Sequence, residues 1–217
     1  MVPVRRNPGL TRPRKANTMA RLTPLASDQL EHLQAQFDQT QQQMGYVPNS
    51  LPTMARVPGL AEAFGGLARV VMANPAIPGP LAQMVAQIAS VAAGCRYCQA
   101  HTATHAAHMG VPEEKLDELW TWKTSEHFDD AERAALDLAF DAASVPNGVT
   151  EKHFTSLRKH FDDDQIAGLV AIVSFFGFLN RWNDTIATGL EAEPATVASR
   201  VLAGSGWNPG DLSVESE

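Results

Sequence analysis

Cysteine is scarce in this chain: its 217 residues contain two, Cys95 and Cys98, three positions apart. A pair that close cannot staple a large loop, so a structural disulfide framework is excluded. In a reducing compartment a CxxC pair serves redox chemistry or metal binding. Aromatic residues are few as well, 7% of the chain against 44% hydrophobic residues overall, an alanine-rich balance that suits closely packed helices. Excess positive charge is missing, with a formal net charge of −7 and an isoelectric point near 5.5. An acidic total with no basic domain surface argues against nucleic acid and points to a small molecule or another protein as partner. No run reaches the roughly 18 uninterrupted apolar residues of a membrane span, and the N-terminus lacks the apolar core of a signal peptide. A cytoplasmic location with no membrane partner is expected. Nor does any stretch alternate at period two with β-branched enrichment, which leaves an all-α chain.

What is present divides into three parts. Residues 1–21 carry Arg5, Arg6, Arg12, Arg14, Lys15 and Arg21 among three prolines and read as a basic disordered tail. Residues 22–191 read as a single all-helical domain, and 192–217, thinning into glycine, serine and acidic residues, as a loose C-terminal arm. Within the domain, Leu30, Leu33, Phe37 and Met44 set a helix that Gly45 stops, and Leu60, Phe64, Leu67 and Val71 set another. Gly79 to Ala93 has no charged residue and shows apolar side chains on more than one face. It predicts a helix buried almost all round, in which Gln83 and Gln87 need hydrogen-bond partners or face a site. Further helices are expected over Val111–Trp122, Asp129–Ala143, from Thr150 to about Arg158, and over Gln165–Leu190. Sliding the last of these by 83 residues sets Gly177 on Gly94 and Thr185 on Thr102. The shared layout predicts a duplicated helix-pair motif, with Arg181 and Asp184 standing where Cys98 and His101 stand.

The reactive side chains gather between Gly94 and Gly110. In Cys95 to His108, CRYCQAHTATHAAH, the spacing puts Cys95, Cys98, His101, His105 and His108 along one face of a helix. The helix start favours thiolate over thiol through its free N–H groups and positive dipole end, Arg96 adds charge nearby, and His101 can hold or shuttle a proton. Three readings compete. The cysteines can be plain core residues. They can hold zinc, but CxxCxxHxxxH on one straight helix spreads over about 15 Å and cannot close a tetrahedral site, so only His101 and His105 completed from elsewhere would serve. Thiol redox chemistry, in which oxidation of one sulfur is resolved by the other, takes the largest share.

GCRYCQAHT after an apolar helix, with GYVPNSLPTMARVPGL upstream and GFLNRWNDTIATGLE downstream, resembles the carboxymuconolactone decarboxylase superfamily, and within it the alkyl hydroperoxidase D-like, peroxidase-related proteins. The resemblance covers about Leu22 to Glu191. It implies an all-helical bundle built from a duplicated motif, assembled as trimers or hexamers, that needs no metal or organic cofactor. It also implies a thiol peroxidase or disulfide oxidoreductase acting on a small hydroperoxide or disulfide and recharged by a thiol reductant. Carried onto this sequence, Cys98 is the peroxidatic cysteine and Cys95 the resolving one, although the dipole argument alone favours Cys95. Two positions depart from the family pattern. The histidine expected four residues after the second cysteine is Thr102 here, with His101 one position early, and the relay glutamate expected twelve residues before the first cysteine is Gln83. Asp184, Glu132 and Glu118 are the candidate replacements for that acid. The alternatives are a lactone decarboxylase or isomerase of the same superfamily, whose members lack the CxxC pair, and a non-catalytic redox sensor.

Overall fold

The computed structural model describes residues 20–214, and among them helices carry the architecture. Two 3-10 turns, Ser27–Gln29 and Glu31–Leu33, lead into α1 (Gln34–Met44), which ends where Gly45 turns left-handed. α2 (Ser50–Met54) and α3 (Leu60–Met72) follow, then α4 (Gly79–Ala93) and α5 (Arg96–His108). Gly94 separates the last two with φ 74°, a conformation in which an L side chain is strained. α6 is short (Glu113–Asp117), and a 3-10 turn at Leu119–Thr121 replaces the rest of the helix expected to Trp122. α7 (Asp130–Ala143) and α9 (Asp163–Ile186) each start from a reciprocal cap, Asp129 with Glu132 and Asp162 with Gln165, which satisfies the first free N–H groups of each helix. α8 (Glu151–Leu157) lies between them and α10 (Ala192–Val201) after them.

The uncharged α4 is the centre of the bundle. Every residue from Leu81 to Ser90 is buried, with α5, α7 and α9 packed around it, α10 against α5 and α3 against α9. A smaller apolar cluster of Leu30, Leu33, Leu51, Met54 and Ala61 sits under the N-terminal segment, and Phe64 and Leu179 pack against both cores. By length and composition α9 would cross a membrane, with mean hydropathy 1.3 over its apolar window. Its buried Asn180 and Asn183 and its packing against α3, α4, α5 and α7 make it a core helix of the bundle.

Two expectations need correction. The segment 192–217 is not a loose arm where it is described: α10 buries Ala195, Ala198 and Val201 on one face, an i, i+3 stripe of small side chains that lies close against α5. α9 runs through Gly177 without a break, so the correspondence with the α4–α5 pair stops at the left-handed corner that Gly94 makes. Arg181 donates to the Gly177 carbonyl at 3.1 Å. The basic tail falls outside the described residues except for Ala20 and Arg21. Arg21 docks on the end of α9, its backbone N–H on the Ile186 carbonyl at 2.7 Å and its guanidinium on the Thr185 carbonyl at 2.6 Å.

Candidate active site

The left-handed turn at Gly94 brings Cys95 in as an extended residue (φ −84°, ψ 99°) that caps α5, its sulfur accepting the Cys98 N–H at 3.4 Å. Both thiols are free and buried, Cys95 1% and Cys98 2% exposed. From α9, Asn183 donates its Nδ2 to Cys98 Sγ at 3.5 Å, and its own Oδ1 accepts the Thr188 hydroxyl at 2.8 Å, which fixes the direction of the amide. Cys98 opens onto a cavity of about 740 Å³ whose walls come from α1, α2, α3, α4, α5 and α9, while Cys95 lies off that wall. Burial pushes the Cys98 thiol well above its ordinary range, the contact with Cys95 adds to the rise, and the Asn183 hydrogen bond opposes it. Desolvation therefore outweighs the helix dipole that the sequence favoured, and the resting group is the thiol.

His101, one turn further along α5, lines the same cavity but does not bond the thiol. Its Nε2 meets Glu191 Oε2 at 2.7 Å and its Nδ1 meets the Tyr46 hydroxyl at 3.1 Å, while Tyr97 stacks on the ring with centroids 4.3 Å apart. Glu191 stands in the short link between α9 and α10, with 5% of its surface exposed. Its Oε1 accepts the Asn49 N–H at 2.6 Å and the Tyr97 hydroxyl at 2.8 Å. Burial alone would raise its pKa; the charge and hydrogen bond of His101, with the Asn49 N–H, outweigh burial and hold it below the usual carboxylate range. An ionised Glu191 only accepts, so His101 donates to it from Nε2. Burial keeps Tyr46 and Tyr97 protonated. His105 also lines the cavity, 3.5 Å from the Tyr46 hydroxyl, and burial lowers its pKa to about 4, so it is neutral near pH 7. His108 pairs with Glu193 at 3.4 Å on the surface, outside the cavity.

The structure thus gathers Cys95, Cys98 and His101, and sets the carboxylate of Glu191 against His101. None of the three acids singled out in the sequence is that group. Glu132 pairs with Lys115 at 2.5 Å, Glu118 lies 3.9 Å from His127, and Asp184 is exposed beside the buried Asn183. Glu191 went unnoticed although it closes the downstream segment GFLNRWNDTIATGLE, because nothing local marks a lone glutamate as buried. Thr102 hydrogen-bonds Gln87 across α4 and α5, and its hydroxyl also lies 2.9 Å from the Cys98 carbonyl. With both ring nitrogens of His101 engaged by Glu191 and Tyr46, the two-histidine zinc arrangement loses one of its ligands.

Residues 58–141 match the Carboxymuconolactone decarboxylase family. The crystal structure of the debrominase Bmp8 superposes with a TM-score of 0.77 at 34% identity, covering 83% of this chain and 97% of Bmp8. The chain belongs to the carboxymuconolactone decarboxylase family. A cysteine-to-alanine variant of Bmp8 holding 2,3,4-tribromopyrrole superposes equally well, with a TM-score of 0.78. This family member also shares its fold with an alkylhydroperoxidase AhpD core protein, peroxidase-related, from Ralstonia eutropha JMP134. That structure is 23% identical with a TM-score of 0.75, over 86% of this chain and 98% of the other. YdfG of Bacillus subtilis strain 168, of uncharacterised function, is 30% identical over 101 residues, 46% of this chain and 67% of YdfG. The match to the family model spans α3 to α7, so it takes in the CxxC corner but stops before Asn183 and Glu191.

Proposed function

We propose that this family member is a thiol-dependent oxidoreductase that reduces organic hydroperoxides, with Cys98 as the attacking and Cys95 as the resolving thiol. The observation that carries the reading is the placement of the two sulfurs: Cys98 is on the wall of the cavity and Cys95 is behind it, hydrogen-bonded to the same turn of α5. A substrate in the cavity meets one thiol, and the other waits within reach of the first. Cys98 sulfur attacks the terminal peroxide oxygen, the O–O bond breaks, and a sulfenic acid and an alcohol form. The thiol hydrogen ends on the alcohol, with His101 as the group able to carry it. Cys95 then attacks the Cys98 sulfur, the disulfide forms and water leaves. An external thiol reductant returns both cysteines to the starting state. Glu191 acts through His101 and is a positioning residue.

The likeness to a debrominase favours a second reading at the same site. Here Cys98 takes a carbon-bound halogen, the electron pair stays on carbon and is protonated, and Cys95 displaces halide to give the same disulfide. We further propose a cytoplasmic homo-oligomer with a thiol reductant as its partner. Cys98→Ser is expected to abolish peroxide consumption with a dithiol reductant, while Cys95→Ser accumulates a sulfenic acid or mixed disulfide detectable by mass. Equal turnover in wild type and both variants would overturn the thiol reading and favour a lyase. Halide release without peroxide consumption would select the second reading.

A further inference from the structure

One side chain in the cavity takes no part in this chemistry. Gln83, in α4, is 7% exposed and lines the wall with Cys98 and His101. Among the described residues no hydrogen bond holds its amide. Its neighbours differ: Gln87, one turn on, takes the Thr102 hydroxyl, and Asn183 is fixed between Cys98 and Thr188. The fully buried unpaired atoms among the described residues are Asn180 Oδ1 and Trp207 Nε1; the Gln83 amide instead opens onto the cavity, where an occupant can bond it.

The remaining wall says what that something is. Leu51, Phe64, Met72, Phe175, Phe176 and Leu179 make it apolar, and a volume of about 740 Å³ suits an organic molecule of drug size and is far larger than hydrogen peroxide needs. Glu62 and Arg69 are exposed residues of α3, and the ionisable groups further in are Tyr97, Cys98 and His105, which are uncharged, and His101, which is already paired with Glu191. The charged side chains that line the cavity among the described residues, Glu62 and Arg69, are exposed, so an ionic group is met on the solvent side and not in the buried part of the wall.

We propose that Gln83 is the recognition residue of this cavity and selects neutral, ring-sized or larger apolar molecules that carry one hydroxyl or ring N–H. The inference rests on the reading of the cavity as the substrate site of Cys98. The amide oxygen accepts the ligand's hydrogen, the apolar wall takes its body, and the reacting bond is left to Cys98.

The test measures binding apart from turnover. Naphthol, its methyl ether and naphthoate are titrated calorimetrically into the Cys98→Ser protein, with and without Gln83→Leu. Naphthol is expected to bind about tenfold tighter than the ether, the margin set by one buried hydrogen bond, and naphthoate more weakly than either. Gln83→Leu is expected to erase the margin while leaving ether binding and the urea midpoint intact. The proposal is overturned by equal affinities in the protein that retains Gln83, by a margin that survives Gln83→Leu, or by no binding of any probe. Because Cys98 is absent from this assay, a failure of the thiol chemistry leaves its outcome unchanged.

Discussion

At Glu191 a carboxylate is held among the Asn49 N–H, the Tyr97 hydroxyl and the His101 ring, and its folded pKa lies below the ordinary range. A depressed carboxylate pKa contributes stability that is present above the unfolded value and is lost as pH falls through the folded one. Glu191→Gln should therefore cost about 3 kcal/mol at neutral pH and flatten the acid limb of a urea-stability profile. Turnover should fall about a hundredfold, with an altered pH profile that a merely structural change would not give. Cys98 has the opposite sign: its thiol is pushed up by burial, so the thiolate fraction keeps growing as pH rises past neutrality. Alkylation of Cys98 in the Cys95→Ser protein should accelerate with pH beyond the range of a free cysteine. Asn183→Leu, which removes the donor to the sulfur, should slow it by about tenfold at fixed pH. A plateau at neutral pH would contradict the assignment.

Among the elements, the α4–α5 corner is where sequence and structure agree most closely. A charge-free helix and a glycine are local signals, and each has its expected place in the bundle, α4 buried and Gly94 turning left-handed. A Cβ at Gly94 would meet nothing within 4 Å, so Gly94→Ala should cost only its conformational strain, about 1–2 kcal/mol. An equilibrium urea melt measures this, and an unchanged midpoint would show that the corner relaxes. The remaining features depend on distant partners. Gly177 looks like the glycine of a helix end, yet Leu169, Ile172, Val173 and Phe176 are buried on one continuous α9 and packing carries the helix through. α10 presents little beyond alanines to the core and sits in a polar tail, so its periodicity is faint. Glu191 finds its donors 142 and 94 positions away, at Asn49 and Tyr97, and Asn183 its thiol 85 away. Such contacts exist only in the folded chain.

For the molecule as a whole, the two apolar clusters meet around the cavity, with Phe64 and Leu179 in its wall and packed against both. Leu67 at 50% and Val70 at 74% exposure on α3, with Phe178 at 40% on α9, leave an apolar outer face, which accords with the proposed homo-oligomer. Light scattering should return a trimer or hexamer mass that falls in Val70→Glu; a monomer would contradict the proposal. The central claim is that substrate oxidises the two thiols of one chain in a single turnover. The most direct measurement mixes fully reduced protein, free of other reductant, with one equivalent of cumene hydroperoxide and counts free thiols and alcohol together. The account predicts that both thiols disappear per alcohol formed in wild type and that neither event occurs in Cys98→Ser. Alcohol formed with both thiols still titratable, or formed equally in Cys98→Ser, would contradict it.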